Sequence, residues 1–180
     1  MTDVLLSSDS CADCQMNRKV QGVTLIELII AIAVLAILLA VAVPSFRITI
    51  QNNRLATQAN DLLTAFQLAR SEAIRRNGPI TICASSDGDS CGGTWQSGWI
   101  VFDPNAVGSG GDPEPAIRVW GAMSGETTVA GASSFTFEAR GRTTAGGSLT
   151  LAVPECTTNQ IRRLDVSASG RVYVEPQDCP

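Results

Sequence analysis

Leu28 to Val43 is an uninterrupted apolar run, and Thr24 to Val43 as a whole predicts a helix that is apolar on every side. Its roughly 20 residues, at about 1.5 Å of rise each, match the hydrocarbon thickness of a bilayer. Pro44 ends the run. Proline lacks a backbone donor and its ring clashes with the preceding turn, so a kink or local loosening is expected over residues 40–44. Beyond it the pattern becomes one-sided. Leu55, Ala59, Leu62, Leu63, Phe66, Ala69 and Ala73 recur at three- and four-residue spacing, while Arg54, Gln58, Asp61, Arg70, Arg75 and Arg76 take other faces. Asn77-Gly78-Pro79 is a strong helix stop, because Asn or Gly adopts the left-handed cap and Pro cannot continue the helix. One helix from about Val23 to Arg76 would be roughly 80 Å long.

The period then changes. Ile80 to Cys83, Gly98 to Phe102, Ile117 to Trp120, Ser134 to Phe137, Leu149 to Val153, Arg163 to Val166 and Arg171 to Val174 are short β-prone runs separated by Gly, Pro, Asp and Ser. They predict an antiparallel β domain over 78–180, and Asp103 to Pro115 reads as an exposed loop. The fold class is therefore α+β: a long N-terminal helix, its apolar part at 23–44 and its amphipathic part at 45–77, packed on a C-terminal antiparallel β domain. The aromatic residues Trp95, Trp99, Trp120, Phe102, Phe135 and Phe137 are expected between the sheet and the helix stripe. A platform for stacking bases is the competing reading.

Composition adds direction and compartment. With 180 residues and 44% hydrophobic content the chain has enough for one real core, and its formal charge of −4 carries no overall nucleic-acid signal. Arg18 and the single lysine, Lys19, stand just before the apolar run. Such residues keep their side of a membrane helix cytoplasmic, so the remainder should face outward. The six cysteines form three local pairs, and in an exported domain Cys83 with Cys91 and Cys156 with Cys179 are expected as disulfides. Zinc is disfavoured by the absence of histidine and by the wide spacing. Cys11 and Cys14 form a CxxC in a polar segment, Met1 to Gly22, with no surrounding fold, and read as incidental thiols.

Candidate chemistry is sparse. Without histidine the usual proton carrier near neutral pH is missing, Asp87 and Asp89 sit in a Ser/Asp/Gly turn, and no glycine pattern forms a phosphate cradle. The chain reads as a non-enzyme with no catalytic residues, no metal and no cofactor. One charge stands out. Glu27 enters the apolar helix, where a carboxylate costs roughly 2.5 to 3.5 kcal/mol at membrane depth, and no cation lies beside it. It needs a cationic partner, unless it snorkels to the surface without a role.

Gly22-Val-Thr-Leu-Ile-Glu27, the apolar helix and Pro44 together resemble the class III signal and N-terminal helix of type IV pilins and pseudopilins. The resemblance implies that residues 1–22 are a leader removed by a membrane prepilin peptidase cutting between Gly22 and Val23. It also implies N-methylation of Val23, at a place where the family usually has Phe, and an assembly charge at Glu27. Pro44 matches the helix-loosening proline of that family. Arg70-Ser-Glu-Ala-Ile74, Gly98-Trp-Ile-Val-Phe102 and Phe137-Glu-Ala-Arg-Gly-Arg142 resemble the GspH/FimT branch, and the paired Cys156 and Cys179 resemble its FimU/FimT-like minor pilins.

What this implies is a minor pilin of a type IV pilus. It would be held in the inner membrane by one pass with its C-terminal domain in the periplasm, then assembled with other pilins into an extracellular filament near its tip, supporting pilus biogenesis, twitching or adhesion. The H-type pseudopilin of a type II secretion system is the alternative. Once cleavage frees an amine on Val23, Glu27 can pair with that of its own chain, four residues away, or with that of a neighbour. A further partner, DNA, is suggested by Arg140, Arg142, Arg162, Arg163 and Arg171, several of which the turns at Gly141 and Gly170 would bring to one edge. FimT-like members linked to DNA uptake carry Gly-Arg-x-Arg, whereas here Gly170-Arg-Val-Tyr173 and Gly141-Arg-Thr-Thr144 depart from it. Solvated arginines pairing with Glu138, Glu155, Asp165 and Glu175 are the alternative.

Overall fold

The computed structural model describes residues 22–106, 116–154, 156 and 159–179. The leader up to Gln21, Glu155 and most of the Asp103 to Pro115 loop lie outside the described residues. The chain divides into two compact units at Val43 and Pro44.

Helix α1 spans Leu25–Arg76, 52 residues with Pro44 inside it. Its end is a Schellman cap: Asn77 takes φ 52°, its N–H donates to Ile74 O at 3.3 Å, and the Gly78 N–H donates to Ala73 O at 3.2 Å. From Pro44 onward the helix belongs to the second unit. The buried positions there are Leu55, Gln58, Ala59, Leu62, Ala65, Phe66, Ala69 and Ala73. Gln58, placed on a polar face by the sequence pattern, is instead buried. Its amide is satisfied on one side, Nε2 donating to Ser124 O at 2.7 Å, which a hydropathy pattern cannot register.

Among the described residues, eight strands form two four-stranded antiparallel sheets. The first, in the order β3-β2-β1-β5, contains β1 (Ile80–Ala84), β2 (Trp99–Phe102), β3 (Arg118–Trp120) and β5 (Ser134–Phe137). The second, in the order β4-β6-β7-β8, contains β4 (Thr128–Gly131), β6 (Gly147–Ala152), β7 (Ile161–Val166) and β8 (Val172–Gln177). Strand β4 has no counterpart among the β-prone runs of the sequence. Thr128 and Val129 favour a strand but Ala130 and Gly131 do not, and the segment is held as an outer strand by pairing along β6, from Thr128 opposite Ala152 to Gly131 opposite Leu149. Pro176 is tolerated because β8 is the opposite outer strand.

Inward residues of both sheets, Ile82, Val101, Leu149, Leu151, Leu164 and Val166 among them, join the helix stripe in one core. Phe66 is central to it: its ring lies 5.1 Å from that of Phe135, 6.1 Å from Trp95 and 6.4 Å from Phe137. Trp95, Trp99, Phe135 and Phe137 are buried, while Trp120 and Phe102 are half-buried. Rings enclosed in the core cannot offer their faces to bases, which removes Trp95, Trp99, Phe135 and Phe137 from the stacking-platform reading. Phe66→Ala is expected to destabilise the protein by about 3 to 5 kcal/mol, measured by denaturant unfolding followed through tryptophan fluorescence.

A disulfide joins Cys83, in β1, to Cys91 with 5.6 Å between their Cα atoms, and a second joins Cys156 to Cys179. Within the first loop Asp87 organises the turn. Its carboxylate accepts from the N–H groups of Asp89 and Ser90, both at 2.9 Å, and from the hydroxyls of Ser90 at 2.6 Å and Ser85 at 3.0 Å. These bonds, the Ser90 hydroxyl foremost, hold its pKa well below the usual carboxylate range. A depressed folded-state pKa means that its stabilisation is full above the unfolded value of about 3.9 and is lost as pH falls through the folded one. Asp87→Ala should therefore lower stability at neutral pH, and its difference from wild type should shrink progressively below about pH 4 in an acid-unfolding series.

Candidate functional site

Gly22 and Val23 are exposed and precede the helix. Thr24 is its N-cap: its carbonyl accepts the first helical bond from the Leu28 N–H at 3.1 Å, and its hydroxyl accepts from the Glu27 N–H at 3.3 Å. Thr24-Leu-Ile-Glu27 thus carries the Ser/Thr-x-x-Glu spacing of a capping box, a signal legible in the sequence. Glu27 therefore stands in the first turn, where the positive end of the helix dipole favours a carboxylate. It is the one charged side chain between Gly22 and Phe46.

Around it the surface is wholly apolar. Every Leu, Ile and Val from Val23 to Val43 is at least 46% exposed. An 18-residue window of this helix reaches a mean hydropathy of 3.1 with none of it buried in the single chain. Such a surface is stable only against lipid or against other apolar helices.

The five sequence-predicted arginines do not form one patch. Arg140 and Arg142 flank Gly141 in the turn after β5, and Arg171 follows Gly170 in the turn between β7 and β8; all three are exposed. The two turns are locked together. Thr143 donates its N–H to Ala168 O at 3.3 Å and its hydroxyl to Ser167 O at 3.0 Å, and Arg70 Nε of the helix donates to Gly141 O at 3.1 Å. Arg70 therefore joins this corner, although no sequence motif linked it to the others. Arg171 also stacks its guanidinium over Tyr173 at 5.7 Å.

Arg162 and Arg163 are engaged elsewhere. Arg162 donates to the carbonyls of Asn159 at 2.6 Å and Ile161 at 2.9 Å, and Arg163 forms a two-pronged bond to Asp165 at 3.0 and 3.1 Å. Farther along the helix, Glu72 holds both Arg75 and Arg76, and these guanidinium groups lower its pKa.

Among the described residues no group of three or more Cys, Asp and Glu converges as a metal site.

A helix with an apolar N-terminal part, followed by a part packed on antiparallel sheets, defines the type IV pilin fold. The family described as "Type II transport protein GspH" matches residues 58–170, and the "Prokaryotic N-terminal methylation motif" matches residues 17–43. The chain belongs to the GspH family of pilin-like subunits. The type IV minor pilin FimU of Pseudomonas aeruginosa PAO1, in its P21 crystal form, is similar in fold. The TM-score is 0.55 at 24% identity, over 71% of this chain and 93% of that one. Its P65 form gives 0.52 at 24% identity over 69% and 96%. No curated protein matches the chain.

The two locked turns generate a test. Gly170 has φ +78°, and a Cβ there would lie 1.8 Å from Gly141 O. Gly170→Ala should cost at least about 1 to 2 kcal/mol from the left-handed backbone alone and should part the turns. Faster hydrogen exchange at the Thr143 amide is the expected readout.

Proposed function

We propose that this chain is a minor pilin of a type IV pilus, cut between Gly22 and Val23 by a prepilin peptidase and methylated on Val23. Before assembly it is held in the inner membrane by residues 23–44, with the β domain on the periplasmic side. It is then drawn into the filament near its tip, where it supports pilus biogenesis, twitching or adhesion. It carries no catalytic activity, metal or cofactor. The observation that carries this reading is the single carboxylate of Glu27 in the first turn of an otherwise apolar, exposed helix segment.

The physical step is an exchange of environments. In lipid the helix surface is satisfied, but the Glu27 charge is held at a cost of about 2.5 to 3.5 kcal/mol at full depth, eased by its place near the helix end. Cleavage supplies an ammonium on Val23. When helices of neighbouring subunits pack side by side, that amine and Glu27 of the next subunit neutralise one another as protein replaces lipid around both. Before assembly the same amine can pair with Glu27 of its own chain. Arg18 and Lys19 support the orientation, since they would hold the leader on the cytoplasmic side until it is cut.

Glu27→Ala and Glu27→Val should still insert into the inner membrane but be missing from sheared filaments. Filaments containing either variant at the wild-type level would defeat the pairing mechanism. The H-type pseudopilin of a type II secretion system shares all of this physics. Encoding beside secretion genes instead of pilus genes would favour it.

One observation favours a second role, DNA capture: the locked turns place Arg140, Arg142 and Arg171 at one corner with Arg70. Full-length protein in detergent should then retard plasmid DNA in a salt-sensitive way. Charge reversal at Arg140, Arg142 and Arg171 should abolish retardation, while reversal at Arg162 and Arg163 should leave most of it. Absence of binding at low salt would leave the assembly role alone.

A further inference from the structure

A groove of about 480 Å³ lies between the helix and the segment after β3. Arg54, Gln58 and Asp61 line it from α1, Trp99 and Trp120 from β2 and β3, and Ser124 from the following loop. The two indoles stack at 6.0 Å with 17° between their planes. Two polar atoms of these lining residues are unusual. Trp99 Nε1 and Gln58 Oε1 are buried without any hydrogen-bond partner, in residues only 3% and 6% exposed. Leaving such a group unpaired costs about 1 to 3 kcal/mol.

The orientation of the Gln58 amide is not arbitrary. Nε2 donates to Ser124 O at 2.7 Å, a bond that Oε1 could not make, so the oxygen remains as an acceptor. The residues lining the groove therefore carry one unpaired N–H donor and one unpaired acceptor. A single secondary amide, with its own C=O and N–H, complements both.

The rim narrows the source of that amide. Arg54 and Asp61 are exposed, opposite in charge and without an ion-pair partner among the described residues. They are seven positions apart on the helix, roughly 10 Å at 1.5 Å per residue, which is about three steps of extended chain. Beside the groove, β3 is an outer strand of its sheet, and its Val119 is 51% exposed. Outer strands with such residues accept added strands.

We propose that this groove binds an extended peptide segment of a partner polypeptide. A backbone amide of the peptide bonds Trp99 Nε1–H and Gln58 Oε1, an acidic side chain faces Arg54, and a basic side chain three residues away faces Asp61. Both atoms are buried in residues that line the groove, so binding requires side-chain shifts that bring them to its surface. The site is independent of residues 22–43 and of the assembly reading.

The test is an NMR titration of the full-length chain in detergent micelles, with nitrogen-15 label, using a capped tetrapeptide of aspartate, two alanines and lysine. The Trp99 indole resonance, assigned by its disappearance in Trp99→Phe, should move in a saturable manner. The Gln58 side-chain amide should report about fivefold weaker binding in Trp99→Phe, the loss expected for one hydrogen bond. Arg54→Gln combined with Asp61→Asn, both surface changes, should also weaken it. An indole resonance that stays still at millimolar peptide overturns the proposal. An equal response to N-acetylglucosamine, which offers an amide without charges, overturns it too, as does unchanged affinity in Trp99→Phe.

Discussion

The constraint on which the molecule turns is an apolar surface with nowhere to go inside its own chain. From Val23 to Val43 every large side chain is hydrophobic and exposed, and one carboxylate interrupts them. Burying that surface is worth roughly 25 cal/mol per Å² wherever an apolar environment can be found, so lipid and neighbouring helices compete for it. After Pro44 the same helix obeys a different rule. Leu55 to Ala73 keep one apolar stripe, because two sheets of the same domain bury it.

That difference explains what was legible beforehand. The helix and its stop at Asn77-Gly78-Pro79 follow from periodicity and cap chemistry, and seven of the eight strands follow from β-prone runs. Strand β4 did not, since its β-prone part, Thr128 and Val129, gives way at once to Ala130 and Gly131, and pairing with β6 completes it. Gln58 was misplaced for a related reason. Hydropathy ranks it with exposed residues, but a carbonyl 66 positions away makes its burial tolerable. Ala65 is buried in the same stripe as Ala59, Ala69 and Ala73.

The candidate sites divide along the same line. Gly22 to Glu27 is a local motif and is legible directly, and the Thr24 cap within it is the part the structure adds. The arginine corner is not local. Arg140, Arg142 and Arg171 share a corner with Arg70 because two glycine turns touch; Arg163 takes Asp165, one of the acidic partners the sequence offered, whereas the carbonyls that occupy Arg162 leave no mark in a sequence. The acidic total of the chain likewise says nothing of such a corner, since fields near a surface depend on arrangement within about 10 Å.

The central claim is that cutting after Gly22 creates the cation that Glu27 lacks. Mass spectrometry of the mature N-terminus, on protein isolated from membranes, tests it most directly. The account requires a chain beginning at Val23 whose amine carries one added methyl group and remains able to hold a positive charge. A mature chain that begins before Val23, or one whose N-terminal nitrogen is acylated and therefore neutral, would contradict it.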